Sequence, residues 1–240
     1  KGTYGSLKGM AGPVDVHRGQ ALCYAYMYGK NEGLSHMGIQ VTYVHLESGK
    51  IRRFNEEWDF EALEAWIMDV LEKYSVWIRW GLQWREKRNI SIGQLNFPFE
   101  YRPGQKRLIA GVYQTIIQGK KLFIQAPTGT GKTISTLFPA IKAMGEGRSD
   151  KIFYLTAKTI TRTVAEETFK LLAGAGLEFK YITLTAKEKC CILDEPHCNP
   201  RECPRARGHF DRVNEAVFAM ISNEPFMSRE VVEDYAREYD

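Results

Sequence analysis

With 240 residues, 44% of them apolar and 12% aromatic, the chain has material for one large or two modest globular domains with sizeable cores, which excludes a low-complexity or disordered protein. A net charge of +4 is only mildly basic and does not by itself point to a polyanionic partner. No run of about 18 apolar residues and no signal-peptide pattern is present, so a cytoplasmic protein without a membrane partner is expected.

Residues 1–14, rich in glycine and holding Pro13, read as a loop. Asp15 is a suitable N-cap for a helix that closes at Gly29, on which His17, Gln20 and Tyr24 share a face at i, i+3 and i+7. Met37 to Glu47 alternates, with Ile39, Val41, Tyr43 and His45 on one side, and Gly49 turns it into a second strand, Lys50 to Phe54. Asn55 then caps a helix reaching about Arg88, with a stripe through Phe60, Leu63, Ile67, Val70, Leu71, Tyr74 and Ile78. Four of the five tryptophans lie between Trp66 and Trp84, which suits a helix packed between domains better than one that touches DNA.

A polar linker, Asn89 to Asn96, leads to breakers at Pro98, Pro103 and Gly104 and a helix from Leu108 to Ile117. Leu122 to Ile124 reads as a short buried strand, ended by Ala126, Pro127, Thr128, Gly129, Thr130 and Gly131. After Lys132 and Thr133, Ile134, Leu137, Phe138 and Ile141 recur at i, i+3, i+4 and i+7, the stripe of a helix. Strand, small-residue loop and helix aim backbone N–H groups at one spot and favour an anion there. A nucleoside triphosphate fits that spot, with Lys132 at the β and γ phosphates and the Thr133 hydroxyl on a bridging magnesium ion. Ala126 stands where the strict GxxxxGK[ST] pattern has its first glycine.

Lys151 to Thr156 reads as a second buried strand and Thr161 to Leu172 as the helix crossing back, a βαβ unit and hence a parallel sheet. A third strand, Tyr181 to Leu184, precedes Cys191, Cys198 and Cys203, spaced irregularly among Pro196, Pro200 and Pro204. Soft thiolates in such a loop suit an iron–sulfur cluster, or zinc with His197 or His209 as fourth ligand. Cys190 and Cys23 read as packing residues. His209 to Tyr239 reads as two helices split near Asn223 to Phe226.

These words carry resemblances. HRGQALCY resembles the QxxxY element of PD-(D/E)xK nucleases of the RecB type, which implies a nuclease-like role for Gln20, Tyr24 and Lys1, with metal-holding carboxylates ahead of residue 1. APTGTGKT is similar to the phosphate loop of nucleic-acid helicases. Gln105, behind Tyr101 and Arg102, resembles the adenine-reading Q motif of superfamily 2 helicases. YLTAKTITRTVAEETF resembles their element Ia and implies that Lys158 and Thr159 meet DNA phosphates. The cysteine segment resembles the insertion of XPD and DinG helicases, and the chain as a whole resembles bacterial DinG-like proteins fused to a RecB-type nuclease.

The resemblance implies an α/β protein in three parts. Residues 1–95 would be the C-terminal part of a PD-(D/E)xK nuclease-like domain, 96–187 the first part of a RecA-like motor domain, and 188–240 the start of an iron–sulfur and arch-like insertion. It implies an ATP-dependent DNA helicase that uses ATP, Mg2+ and a 4Fe-4S cluster, moves 5′ to 3′ on single-stranded DNA, and takes fork or overhang DNA, as in DNA repair. On that reading the chain is an internal fragment, and the fourth thiolate and a DEAH-type box lie beyond Asp240. The alternatives are a P-loop phosphotransferase and a non-enzymatic nucleic-acid-binding module with remnant sites.

Overall fold

The computed structural model describes residues 1–127, 129–156, 159–186, 189, 191, 198–200 and 202–239, with 159–161 described by backbone alone. The chain divides into two compact units, Lys1–Trp80 and Gly81–Asp240.

The first unit is a three-stranded sheet with helices. It holds β1 (Gly2–Thr3), α1 (Asp15–Glu32), β2 (His36–His45), β3 (Ile51–Asp59) and the first part of α2 (Phe60–Gln94). The strand order is β1-β2-β3, with β1 parallel to β2 (Gly2 opposite Val44) and β2 antiparallel to β3 from His36 opposite Asp59 to Val44 opposite Ile51. Leu22 and Ala25 of α1, Met37 of β2 and Leu63 of α2 form its core, with Tyr26, Ile39, Trp58 and Trp66 against them. Burying a leucine such as Leu22 or Leu63 contributes about 2 kcal/mol.

Three sequence readings are corrected here. Asp15 is the first helical residue, behind Val14 as N-cap, and α1 runs past the buried Gly29 to end on Gly33 at φ 64°. Gly29 serves close approach: a Cβ there would lie 2.4 Å from Met37 Sδ. Asn55 caps no helix, because β3 continues to Asp59 and pairs Asn55 with Gln40, whose amide donates to the Asn55 side-chain oxygen at 2.8 Å. Finally, α2 continues through most of the presumed linker to Gln94, since Ile92 and the following Leu95 are needed in the core of the second unit.

That unit contains the end of α2, then α3 (Gln105–Ile117), α4 (Lys132–Gly145), α5 (Thr159–Gly174), β4 (Tyr181–Ile182), a 3-10 turn (Pro204–Ala206), α6 (His209–Asn223), β5 (Phe226–Met227) and α7 (Arg229–Glu238). Its core joins Ile92 and Leu95 to Ile134, Leu137, Phe138 and Ile141 of α4 and to Ala165, Phe169 and Leu172 of α5. The Lys142 ammonium holds the end of α2 by donating to the carbonyls of Ile92 (2.8 Å), Gly93 (3.3 Å) and Leu95 (3.2 Å). Helix ends leave such carbonyls without intrahelical partners, and a cation there also opposes the negative end of the dipole.

The expected parallel ladder through residues 122–124 and 151–156 is not formed among the described residues. Phe123 is 94% exposed and Leu155 88%, while Ile152 and Tyr154 lie against the core. Alternation of this kind presents apolar residues to both faces, and a strand exists only where a neighbour completes its hydrogen bonds. Parallel pairing occurs instead between β4 and β5, with Tyr181 opposite Phe226 and Ile182 opposite Met227, so the break between the last two helices is partly strand. Tyr181 stacks on both Phe169 and Phe226, at centroid distances of 5.0 Å each. Among the described residues no helix is long and apolar enough to cross a membrane.

Candidate nucleotide site

The loop from Ala126 to Gly131 is shaped by two glycines in the left-handed region, Gly129 at φ 81° and Gly131 at φ 71°. Gly131 is also the N-cap of α4, which has neither a side-chain cap nor an acidic residue in its first turn. The first N–H groups of α4 are thus left for a ligand by both geometry and charge. Lys132 folds back over the loop, its ammonium donating to the carbonyls of Ala126 (3.0 Å) and Pro127 (2.6 Å). The Thr130 hydroxyl donates to the Pro127 carbonyl at 2.9 Å, and Thr133 is half-buried in the first turn of α4. Thr128 lies outside the described residues.

Beside this loop is a pocket of about 270 Å³ lined by Phe99, Glu100, Arg102, Gln105, Gly131 and Ile134. Gln105 opens α3 and is only 6% exposed. Its side-chain oxygen accepts from the Arg102 N–H at 3.1 Å and its amide nitrogen donates to the Ser135 hydroxyl at 3.0 Å. The Arg102 guanidinium donates to the Gly129 carbonyl, tying the pocket wall to the phosphate-loop candidate. Phe97 stacks on Tyr101 at 4.7 Å and meets Phe138 edge-on at 5.3 Å, which anchors the 97–101 segment to α4. Gln105 and the Lys132 loop, far apart in sequence, therefore border one cavity. Sequence reasoning missed Ser135 and Phe99; the signal for Ser135 was its place directly after Ile134, one turn beyond Gly131 and near the apolar stripe of α4.

Three residues for which the sequence suggested a nuclease-like role, all in the first unit, also meet. The Lys1 ammonium donates to the Gln20 side-chain oxygen at 2.6 Å, and the Gln20 amide donates to the Tyr24 hydroxyl at 3.0 Å. His17, one turn earlier on α1, has a different partner, its Nδ1 lying 2.8 Å from the Tyr43 hydroxyl on β2. Nearby, Arg18 forks onto the Glu56 carboxylate, Nε donating to Oε1 and Nη2 to Oε2 at 2.8 Å each, and this pairing holds the Glu56 carboxyl below the usual carboxylate range.

Two expected sites fare differently. Lys158 lies outside the described residues, and Thr159 opens α5 with only its backbone described. Cys191 and Cys203 are half-buried thiols and Cys198 an exposed one, but among the described residues no three His, Cys, Asp or Glu side chains are gathered to hold a metal. Among the described residues, then, Cys191, Cys198 and Cys203 are not gathered around a single metal ion. The Cys203 N–H is fixed on the Asn199 carbonyl at 2.8 Å and Cys203 caps the 3-10 turn, whereas Cys191 lines a cavity with Ile182, Thr183, Arg205 and Arg229. His209, the candidate zinc ligand, instead meets Phe210 edge-on at 5.3 Å; Cys190 and His197 lie outside the described residues.

Residues 102–195 match the DEAD/DEAH box helicase family. In this segment the chain is similar to helicase motor sequences. Over 132 residues it is also 29% identical to the ATP-dependent DNA helicase DDX11 of Mus musculus, a match covering 54% of this chain and 12% of that protein. The chain thus spans about an eighth of the length of the curated relative it matches. No solved structure matches the chain.

Proposed function

We propose that this chain is part of an ATP-dependent DNA helicase and that the loop from Ala126 to Thr133 takes the nucleotide phosphates. The observation that carries the reading is the shared cavity, with Gln105 on one wall, Gly131 on the other and Lys132 directly beyond it. Carbonyl oxygens now hold the Lys132 ammonium, and phosphate oxygens, with full negative charge, are stronger acceptors for the same donor. The N–H groups at the head of α4 would meet the same phosphates. Thr133, half-buried in that turn, has the hydroxyl that would hold a magnesium ion, which when bound neutralises charge on the phosphates. Hydrolysis of the triphosphate is then a matter of positioning and charge stabilisation by these residues. Gln105 keeps one N–H and one acceptor lone pair beyond its protein partners, a donor and acceptor side by side as the adenine edge requires.

Single-stranded DNA as the track is supported by the helicase match and by the wording of the element at 154–169, whereas 5′ to 3′ travel and fork or overhang substrates rest on the resemblance of the sequence motifs alone. The hydrogen-bonded set of Lys1, Gln20 and Tyr24 supports a nuclease-like surface on the first unit. An iron–sulfur cluster on Cys191, Cys198 and Cys203 is supported by the soft-ligand chemistry of these three free thiols. DNA-stimulated ATP hydrolysis by the intact protein, lost on Lys132→Ala, is the result expected; hydrolysis that ignores both DNA and Lys132 would remove the reading.

A further inference from the structure

Ser135 is the most deeply buried polar side chain beside the pocket, at 0% exposure, and its hydrogen bonds are fully accounted for. Its single hydroxyl proton is donated to the Gly131 carbonyl at 2.8 Å. With that proton committed, the oxygen can only accept from Gln105, so the atom of Gln105 that meets it, at 3.0 Å, must be the amide nitrogen. The other end of the amide agrees. The Gln105 side-chain oxygen faces the Arg102 N–H, which can only donate. The orientation of the Gln105 amide is thereby set by chemistry at both ends, where an exposed glutamine would be open to either flip.

We propose that Ser135 is a positioning residue that determines base specificity, by fixing which edge Gln105 presents to a nucleobase in the adjoining pocket. This rests on the nucleotide reading given above. Once the amide is locked, its remaining N–H and its remaining lone pair are the only polar groups it offers to the cavity. Adenine, with a ring acceptor beside an exocyclic amine, matches that pair; guanine, with two acceptors at the same edge, leaves the glutamine oxygen facing another acceptor. A site whose buried polar groups are left unpaired rejects the wrong ligand more strongly than one that only fits its shape.

Gly131 reinforces the arrangement. A Cβ at that position would lie 2.8 Å from the Gln105 amide nitrogen, and the backbone there is left-handed at φ 71°. The residue that ends the loop therefore both accepts from Ser135 and leaves room for Gln105. Occupancy at the base and geometry at the phosphates are joined through this one hydroxyl, and in parallel through the Arg102 guanidinium on the Gly129 carbonyl.

The test compares binding of ATPγS and GTPγS, and steady-state hydrolysis of ATP and GTP, in the intact protein and in Ser135→Ala, Ser135→Thr and Lys132→Ala. Thermal melting first establishes that each variant is folded, and Ser135→Cys replaces Ser135→Thr if the added methyl prevents folding. The preference for the adenine nucleotide should fall about tenfold in Ser135→Ala, the scale of one buried hydrogen bond, with the loss carried in KM more than in kcat. Ser135→Thr, which keeps the hydroxyl, should restore most of it. A folded Ser135→Ala that keeps the wild-type preference overturns the role of Ser135 while leaving the nucleotide reading intact. Parallel losses for both nucleotides in Ser135→Ala and Ser135→Thr also overturn it, as packing would produce them. A wild type that binds neither nucleotide, or a Lys132→Ala that binds both as well as wild type, overturns the nucleotide reading and the inference with it.

Discussion

Lys1, directly ahead of strand β1, and Gln20 of helix α1 are joined by a 2.6 Å hydrogen bond, nineteen residues apart in the chain. Two features set the pair: β1 lies parallel to β2, with the Lys1 carbonyl accepting from the Val44 N–H at 3.0 Å, and α1 is held over the sheet by Leu22 and Ala25. Because the contact is exposed, it is worth little to stability, roughly 1 kcal/mol or less. Gln20→Ala should therefore leave the melting temperature of the intact protein almost unchanged. If this surface cuts DNA, the same variant should slow metal-dependent cleavage by roughly tenfold or more, as misplacing a group that offsets developing charge does. Cleavage at the wild-type rate would leave Lys1 and Gln20 as a surface contact only.

Lys132→Ala should lower ATP hydrolysis by the intact protein by about 10²-fold or more, since the ammonium lies over the loop and already donates to the carbonyls of Ala126 and Pro127. The fold should survive, as the lysine is only half-buried and supports no part of the core. Steady-state assays on a variant with wild-type circular dichroism decide the matter.

The seam between α2 and α4 offers a test of stability. Removing the Lys142 ammonium with Lys142→Met leaves three carbonyls at the end of α2 to be served by water, at an expected loss of about 1–2 kcal/mol. Gly145→Ala would place a Cβ 2.4 Å from Ile92 Cγ2 and 2.9 Å from Ile92 Cβ. Overpacking there should cost about 1–3 kcal/mol, exceeding the roughly 1 kcal/mol that alanine gains over glycine inside a helix. Urea denaturation measures both, and a stabilised Gly145→Ala would show that the seam yields more readily than its geometry implies.

His36 and Asp59 face each other at the open end of the β2–β3 hairpin, with the imidazole Nδ1 2.9 Å from the carboxylate. The Asp59 hydrogen bond chiefly, and Glu57 to a lesser degree, raise the His36 pKa above its ordinary value. A raised folded-state pKa means that the contribution to stability is fully present below the unfolded-state pKa and is lost as pH rises through the folded one. NMR titration should place His36 above the value for free histidine, and Asp59→Asn should bring it down. An unmoved titration in that variant would assign the shift elsewhere.

How much of this was legible in the amino-acid order differs between the two units. The phosphate-loop candidate could be read directly, because left-handed glycines at 129 and 131, a following helix start and a lysine at 132 are properties of adjacent residues. Gln20 and Tyr24 were legible as one turn of helix for the same reason. The extent of α2 was not, because the polar letters from Asn89 to Asn96 hide Ile92 and Leu95, whose burial depends on α4 and α5.

The sequence by itself thus determined which residues could meet an anion and which stretches are helical, since φ preferences and the 3.6-residue period act over a few neighbours. Tertiary structure alone decided the rest. It placed Gln105 against Ser135, brought Lys1 to Gln20, left Cys191, Cys198 and Cys203 ungathered, and paired β4 with β5 in place of the segments at 122–124 and 151–156. Each of those outcomes depends on a partner distant in the chain. An alternating or apolar run states only that a partner is required, and which segment supplies it is settled by the hydrogen bonds and burial that the whole fold makes available.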